Sequence, residues 1–343
     1  MKAIRLAAAQ QIDVADVDDP EISLPTDALV RVTHSAICGA DLMPYHGFVP
    51  GFDMATILGH EFVGTVVEVG GGVASVEVGQ RVVNTSMTSD GDCVHCRAGR
   101  FTQCESRSLF GFSSVYPRLD GGQAEYVRVP LADRTLWRVP DGVSSEDAVF
   151  VADILPTGLA AVERGGLRID DLVVVMGCGP VGLMAIMCAV GTARRVIGVD
   201  TVPARLALAQ ELGAIAVTPD EVAAEVAAAT RGLGADVVIE ASGSIQALTA
   251  ALSLVRPQGV ISVVGAHFEP DFPLNNGLMF EKEISIVFSV GNPTKDRERL
   301  FNAIEGGALH PARVLTDSVP LVEAVSAYRS FDVKQATKIV LVN

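Results

Sequence analysis

Two rhythms of apolar residues divide this chain. Up to about residue 150 the apolar runs are short and broken by glycines and polar turns, and they read as mostly β structure. They predict strands over 28–32, 65–69 and 80–83, a turn at Gly70-Gly71-Gly72, and a further strand in 121–127. A loop is expected from near Ser35, carrying Ile37-Cys38-Gly39-Ala40-Asp41. Around 143–166 the spacing turns helical, with Asp153 and Thr157 one turn apart. From there strands near 172–176, 195–199, 214–217, 236–239, 259–264 and 284–290 alternate with helices near 179–190, 203–212, 220–231 and 244–254. That alternation predicts an α/β fold with a doubly wound parallel sheet. After Gly291 it stops: helices near 294–305 and 320–330 lead to a last strand over 338–342. Six strands complete such a sheet, so the tail is expected to return to the first domain. The domains are then 1–152 completed by 292–343, and 153–291.

The stretch 172–200 carries the most informative local pattern. Five apolar residues suit a buried strand, and Gly177, Gly179 and Gly182 then spell G-x-G-x-x-G. Pro180 and Val181 open a helix, and the next strand stops on Asp200. Each glycine suits a dinucleotide: Gly177 for the tight turn, Gly179 for backbone close to a pyrophosphate, Gly182 for packing of helix on strand. The helix start offers free N–H groups and the positive end of its dipole to phosphate. Asp200 lies 18 residues beyond Gly182, close to the spacing of about 20 for a ribose-binding acid. A 2′-phosphate would face its like charge, so NAD is expected over NADP. Arg194, Arg195 and Arg205 lie near enough in sequence to weigh the other way, and Arg205 is grouped with the cofactor-binding residues. The uncharged run 172–193 is not a membrane span, because Gly-Cys-Gly-Pro interrupts it and the strand–helix rhythm continues beyond it.

Composition narrows the classes. A length of 343 residues favours two domains, and 49% apolar with only 5% aromatic residues suits a well-buried α/β protein. A formal net charge of −15 sets nucleic acid aside as a partner. The opening Met-Lys-Ala-Ile-Arg-Leu is not a secretory leader, and six cysteines in so long a chain do not suggest a disulfide framework. A cytoplasmic setting is expected. Cys178 and Cys188 read as packing residues, whereas Cys93, Cys96 and Cys104 cluster as metal ligands do.

Cys38, His60 and Asp153 offer thiolate, imidazole and carboxylate, three good zinc ligands, although spacing alone does not join them. The pattern around them does. Gly59-His60-Glu61-x-x-Gly64 with Gly70 and Val73, Cys38-Gly39-x-Asp41, the cysteine-rich lobe at 90–104 and the G-x-G-x-x-G resemble the zinc-dependent medium-chain alcohol dehydrogenases, in order and spacing over essentially the whole chain. The resemblance implies a GroES-like catalytic domain beside a Rossmann NAD-binding domain. It implies a catalytic zinc on Cys38, His60 and Asp153, with Glu61 as an exchangeable fourth ligand. Asp41 falls where a carboxylate orients the zinc histidine, and Thr157 where a threonine touches the nicotinamide. Val264 and Gly265 fall where backbone holds the carboxamide, and Asp236 and Glu240 in a strand and turn beside the cofactor. The activity implied is hydride transfer between NAD(H) and a small alcohol or carbonyl, by a homodimer or homotetramer paired through the edge strand 283–290.

Asp90, Cys93, Cys96 and Cys104 match the family's structural-zinc lobe, except that Asp90 stands where the family has a fourth cysteine. A structural zinc with Asp90 as ligand is expected, with His95 as a substitute donor. The proton relay departs further: Ala40 and Met43 occupy the places of its usual hydroxyl and histidine. Tyr45, His46, Glu61 or a substrate hydroxyl would have to stand in. Otherwise the enzyme is a reductase of iminium ions or activated C=C bonds, which need no proton at an alcohol oxygen. A non-catalytic dinucleotide-binding protein is the third reading, disfavoured by the open metal set. Phe110, Phe112, Tyr116, Leu155, Phe268 and Met279 are pocket candidates that serve equally well as core.

Overall fold

The structure is a computed structural model that describes residues 1–267, 271, 272 and 274–343. Two compact units emerge, Met1–Asp153 with Asn292–Asn343, and Ile154–Gly291. The first boundary falls one residue later than the sequence pattern suggested. Asp153 sits at the break between the helices Ser145–Val151 and Ile154–Arg164, outside both, and groups with the first unit.

In the first unit the strand Ala28–Ile37 is the spine. Phe62–Val69 and Tyr126–Val129 pair with it antiparallel, and Arg81–Asn84 and Leu136–Arg138 carry the sheet onward from Phe62–Val69. On the side opposite Phe62–Val69, where Tyr126–Val129 pairs with Ala28–Arg31, the returning strand Ile339–Val342 pairs with His34–Ile37, followed by Asp317–Pro320. The spine runs on to Ile37, beyond Val32 where the sequence pattern ended it and through Ser35 where a loop was expected. Ile339–Val342 supplies an antiparallel partner for His34 through Ile37, and that pairing between distant parts of the chain leaves no local trace. Val30, Val32, Phe62, Val66, Val82, Val127 and Leu136 form one core. A second core joins Ile4, Leu6, Ile37, Leu58 and Leu341 to Tyr328 and Phe331 of the helix Ala324–Asp332.

The second unit holds a six-stranded sheet, parallel throughout, in the order Ile215–Val217, Arg195–Val199, Leu172–Met176, Ala235–Glu240, Val255–Val263, Ser285–Phe288. Every residue of Leu172–Met176 is buried, as expected of a central strand covered on both faces. The strand order reverses between Leu172–Met176 and Ala235–Glu240, and a doubly wound sheet binds its ligand outside the carboxyl ends of the strands at such a switch point. The fifth strand begins at Val255, ahead of the expected 259, because Ala235 pairs with Val255 before an irregularity restores register at Val237 and Val260. Among the described residues no helix is long and apolar enough to cross a membrane.

Candidate functional site

Four side chains expected around a metal converge in the first unit. One ligand atom each from Cys38, His60, Glu61 and Asp153 lies within 4.8 Å of all the others. Cys38 follows the end of the spine strand, and His60 and Glu61 lead directly into Phe62–Val69, so two paired strands deliver three of the four. His60 and Glu61 are buried, and Asp153 retains a quarter of its side-chain exposure. His60 Nδ1 stands 3.3 Å from Asp41 Oδ1 and Nε2 stands 3.3 Å from Asp153 Oδ2. Neither nitrogen makes a well-formed hydrogen bond, and Glu61 Oε1 has none either. Burial alone would lower the His60 imidazole, but Asp41 and the Cys38 sulfur hold it well above its usual range. Burial, reinforced by Glu61, pushes the Cys38 thiol up. Acidic groups thus crowd one imidazole in a dry pocket, and a divalent cation at their centre resolves both the charge and the unpaired atoms. The donor set fits zinc.

Two supporting residues were not singled out from the sequence. Asn84 receives a hydrogen bond from Phe62 N (2.8 Å) and donates to His60 O (2.8 Å), bracketing His60 and Glu61. Lys338, fully buried at the head of the last strand, contacts the Glu61 carboxylate. Burial would lower this ammonium, but Glu61, with Cys38 and Asp41, outweighs it, so its pKa is raised. The available signal was a lysine opening an otherwise apolar run, Lys338-Ile339-Val340-Leu341-Val342.

Of the substitute relay groups Glu61 lies in the cluster, whereas Tyr45 and His46 are engaged elsewhere. His46 Nε2 is 2.8 Å from Asp332 Oδ1 and its Nδ1 is 3.4 Å from Gln10. Tyr45 packs beside Tyr328 in the second core and lines a surface cavity with Gln10, Asp13 and Arg329. Phe110, Phe112 and Leu155 are core residues, Tyr116 lies beneath Arg107, and Met279 packs on the sheet of the second unit. Phe268 lies outside the described residues.

In the lobe, ligand atoms of Asp90, Cys93, Cys96 and Cys104 also fall within 4.8 Å of one another, and all three cysteines are free thiols. Asp90 Oδ1 accepts from Asp92 N (2.8 Å) and Cys93 N (3.0 Å), and these bonds hold the carboxyl far below the usual carboxylate range. The Cys96 thiol is pushed up to about 12 by burial, whereas backbone donors, Cys96 N foremost, lower Cys93. His95 turns to Arg100 (3.4 Å) and is not in the cluster, so Asp90 and not the alternative donor completes the set.

The second unit builds the dinucleotide pattern as read. Gly177 has φ +99°, Gly182 leaves no room for a Cβ against Gly177 O, and Gly179 caps the helix Pro180–Val190 without a side-chain bond. A Cβ at Gly179 would find only Arg205 nearby, at 3.7 Å, so the backbone there lies open to a phosphate. Asp200 accepts from Cys178 N (2.8 Å) and Val202 N (2.9 Å), and Arg205 Nε is buried without a hydrogen bond. Glu240 O accepts from Val264 N and Gly265 N, while its carboxylate ties Ser242, Gly243 and His267. Thr157 packs against Gly291. Asp236 lies in the fourth strand, Ala235–Glu240, which also carries Glu240. It bonds Leu172 N and Arg256 near the amino ends of the strands, away from the ligand end, and its role is to tie strands together.

Residues 24–141 match the family model of the alcohol dehydrogenase GroES-like domain, and residues 180–305 that of the zinc-binding dehydrogenase. Over 99% of its length the chain is 34% identical to zinc-type alcohol dehydrogenase B of Aspergillus flavus, 81% of which is covered. It is similar to the solved structure of alcohol dehydrogenase TADH from Thermus sp. ATN1, with a TM-score of 0.94 and 36% identity over 100% of this chain and 99% of that one. A putative zinc-binding dehydrogenase from Sinorhizobium meliloti 1021, solved bound to NADP, gives a TM-score of 0.85 and 28% identity over 100% and 99% of the two chains.

Proposed function

This chain belongs to the zinc-dependent medium-chain dehydrogenases, and from that membership we propose that it interconverts an alcohol and its carbonyl with NAD(H) as hydride carrier. The observation that carries the reading is the convergence of Cys38, His60, Glu61 and Asp153. Three ligands of mixed type with one exchangeable group suit a catalytic rather than a closed zinc. Zinc bound there supplies a Lewis acid that polarises a carbonyl or acidifies an alcohol. Asp41 orients the His60 ring so that Nε2 faces the other ligands. Lys338 balances Glu61, leaving its second oxygen for the cluster. Gly177, Gly179 and Gly182, with Pro180 and Val181, receive the pyrophosphate, Asp200 and Arg205 the ribose, and Thr157, Val264 and Gly265 the nicotinamide end. Asp90, Cys93, Cys96 and Cys104 hold a second, structural zinc. The substrate is a small molecule, the setting cytoplasmic, and the assembly a homo-oligomer.

A second reading, reduction of an iminium ion or activated C=C bond, draws support from Ala40 and Met43 and from the engagement of His46 with Asp332. Zinc content and a substrate panel separate the possibilities. Wild type should hold two zincs per subunit, with one lost in Cys38→Ser and one in Asp90→Ala, and should oxidise alcohols with NAD. Turnover of an imine or enone but of no alcohol or carbonyl would replace the first reading by the second. Cofactor binding with no turnover of any of these would leave only a binder.

A further inference from the structure

Gln123 and Tyr328 belong to none of the motifs, yet they complete a buried polar chain behind His60. Gln123 is fully buried, and its Nε2 is 3.3 Å from both Ala36 O and Asp41 Oδ2. Both of those atoms only accept, which fixes the orientation of the amide: nitrogen toward Asp41, oxygen toward Tyr328. Tyr328 Oη lies 2.7 Å from Gln123 Oε1 and must therefore donate. Burial holds the phenol well above its usual pKa, so it keeps its proton. Asp41 Oδ2 accepts from Cys38 N (2.9 Å) as well as from Gln123, and Oδ1 is left for His60 Nδ1. The glycines explain the close fit. Gly59 has φ +96° and leaves no room for a Cβ beside Gln123, while Gly121 and Gly122 pack against Leu58, Gly59 and Phe62. Gly122 N and Gln123 N donate to Gly59 O and Leu58 O, locking the glutamine next to the segment that presents His60.

We propose that Gln123, held by Tyr328, is a positioning residue for the metal centre: it fixes the Asp41 carboxylate, and through Asp41 the tautomer and ring orientation of His60. The proposal rests on the zinc reading of Cys38, His60 and Asp153. The helix Ala324–Asp332 thereby reaches His60 through three side chains, Tyr328, Gln123 and Asp41, none of which is a ligand. Removing the amide leaves Asp41 Oδ2 held by Cys38 N alone and loosens the imidazole, so the metal should be held in altered geometry and released sooner.

The test replaces zinc by Co²⁺ and reads the visible absorption of the protein, with Cys38→Ser supplying the baseline from the lobe. Gln123→Met should shift the Cys38-dependent bands and speed cobalt release to a chelator by about tenfold, the low end for outer partners of metal ligands. Tyr328→Phe, which removes a single oxygen atom and serves alone should Gln123→Met not fold, should act in the same direction to a smaller extent. The double variant should be no worse than Gln123→Met, because Tyr328 acts through the amide. Unchanged bands and release rates in both single variants overturn the proposal while the zinc reading stands. Strictly additive effects overturn it too, since Tyr328 would then act by another route. Coincidence of the wild-type and Cys38→Ser spectra overturns the zinc reading along with it.

Discussion

A fully buried lysine beside a fully buried glutamate is costly to assemble and more costly to break. The Lys338 and Glu61 side chains are both 0% exposed, so truncating either strands the other charge away from water. Lys338→Met should lower stability by about 3–5 kcal/mol in urea unfolding of the first unit, while Lys338→Met with Glu61→Leu should recover most of that loss. Gly59 is equally constrained. Gly59→Ala would place a methyl group against Gln123 at a backbone angle that alanine rarely adopts, and it should cost more than about 2 kcal/mol and deplete the first unit's zinc together with its stability. Elemental analysis of the purified variant checks the second half of that expectation.

Two loops carry specificity at the scale of elements. Asp200 accepts backbone N–H groups on both oxygens, which fixes its negative charge at the end of the strand Arg195–Val199, where the proposed function puts the ribose. Asp200→Ser should lower the ratio of kcat/KM for NAD over NADP by at least about tenfold, with Arg205 supplying the charge for the 2′-phosphate. In the lobe a hard carboxylate stands among soft thiols. Asp90→Cys should slow zinc release to a chelator and Asp90→Ala should speed it, because thiolate suits zinc better than carboxylate oxygen. The sequence was most readable where structure is local. The six strands of the second unit, the glycine turn and Asp200 follow from periodicity and spacing within short windows. Distant pairing was not readable. The extension of the spine to Ile37, the Lys338–Glu61 pair and the Gln123–Tyr328 bond each join segments with no shared local pattern, and Asp236 looked alike in sequence whichever end of its strand it served.

For the whole molecule, the edge of the six-stranded sheet is conspicuous. Among the described residues Ser285–Phe288 has no strand on its outer side, and Phe280, Phe288 and Val290 are exposed around it, an arrangement that proteins usually cover or blunt. Light scattering should find a dimer or larger assembly, and Phe288→Lys should shift it toward monomer while leaving zinc content intact. The interleaving of the two units also orders the molecule in time. Ile154–Gly291 is one unbroken segment, whereas the other unit needs residues from both sides of it. On a ribosome the second unit can close while the first still waits. Glu61 emerges 277 residues before Lys338, which at about 5–20 residues per second is tens of seconds of synthesis. A nascent chain therefore carries His60 and Glu61 without their buried counterion until the returning strand is made, so a chain stalled anywhere short of Lys338 can hold a folded Ile154–Gly291 unit and still lack the lysine that Glu61 needs.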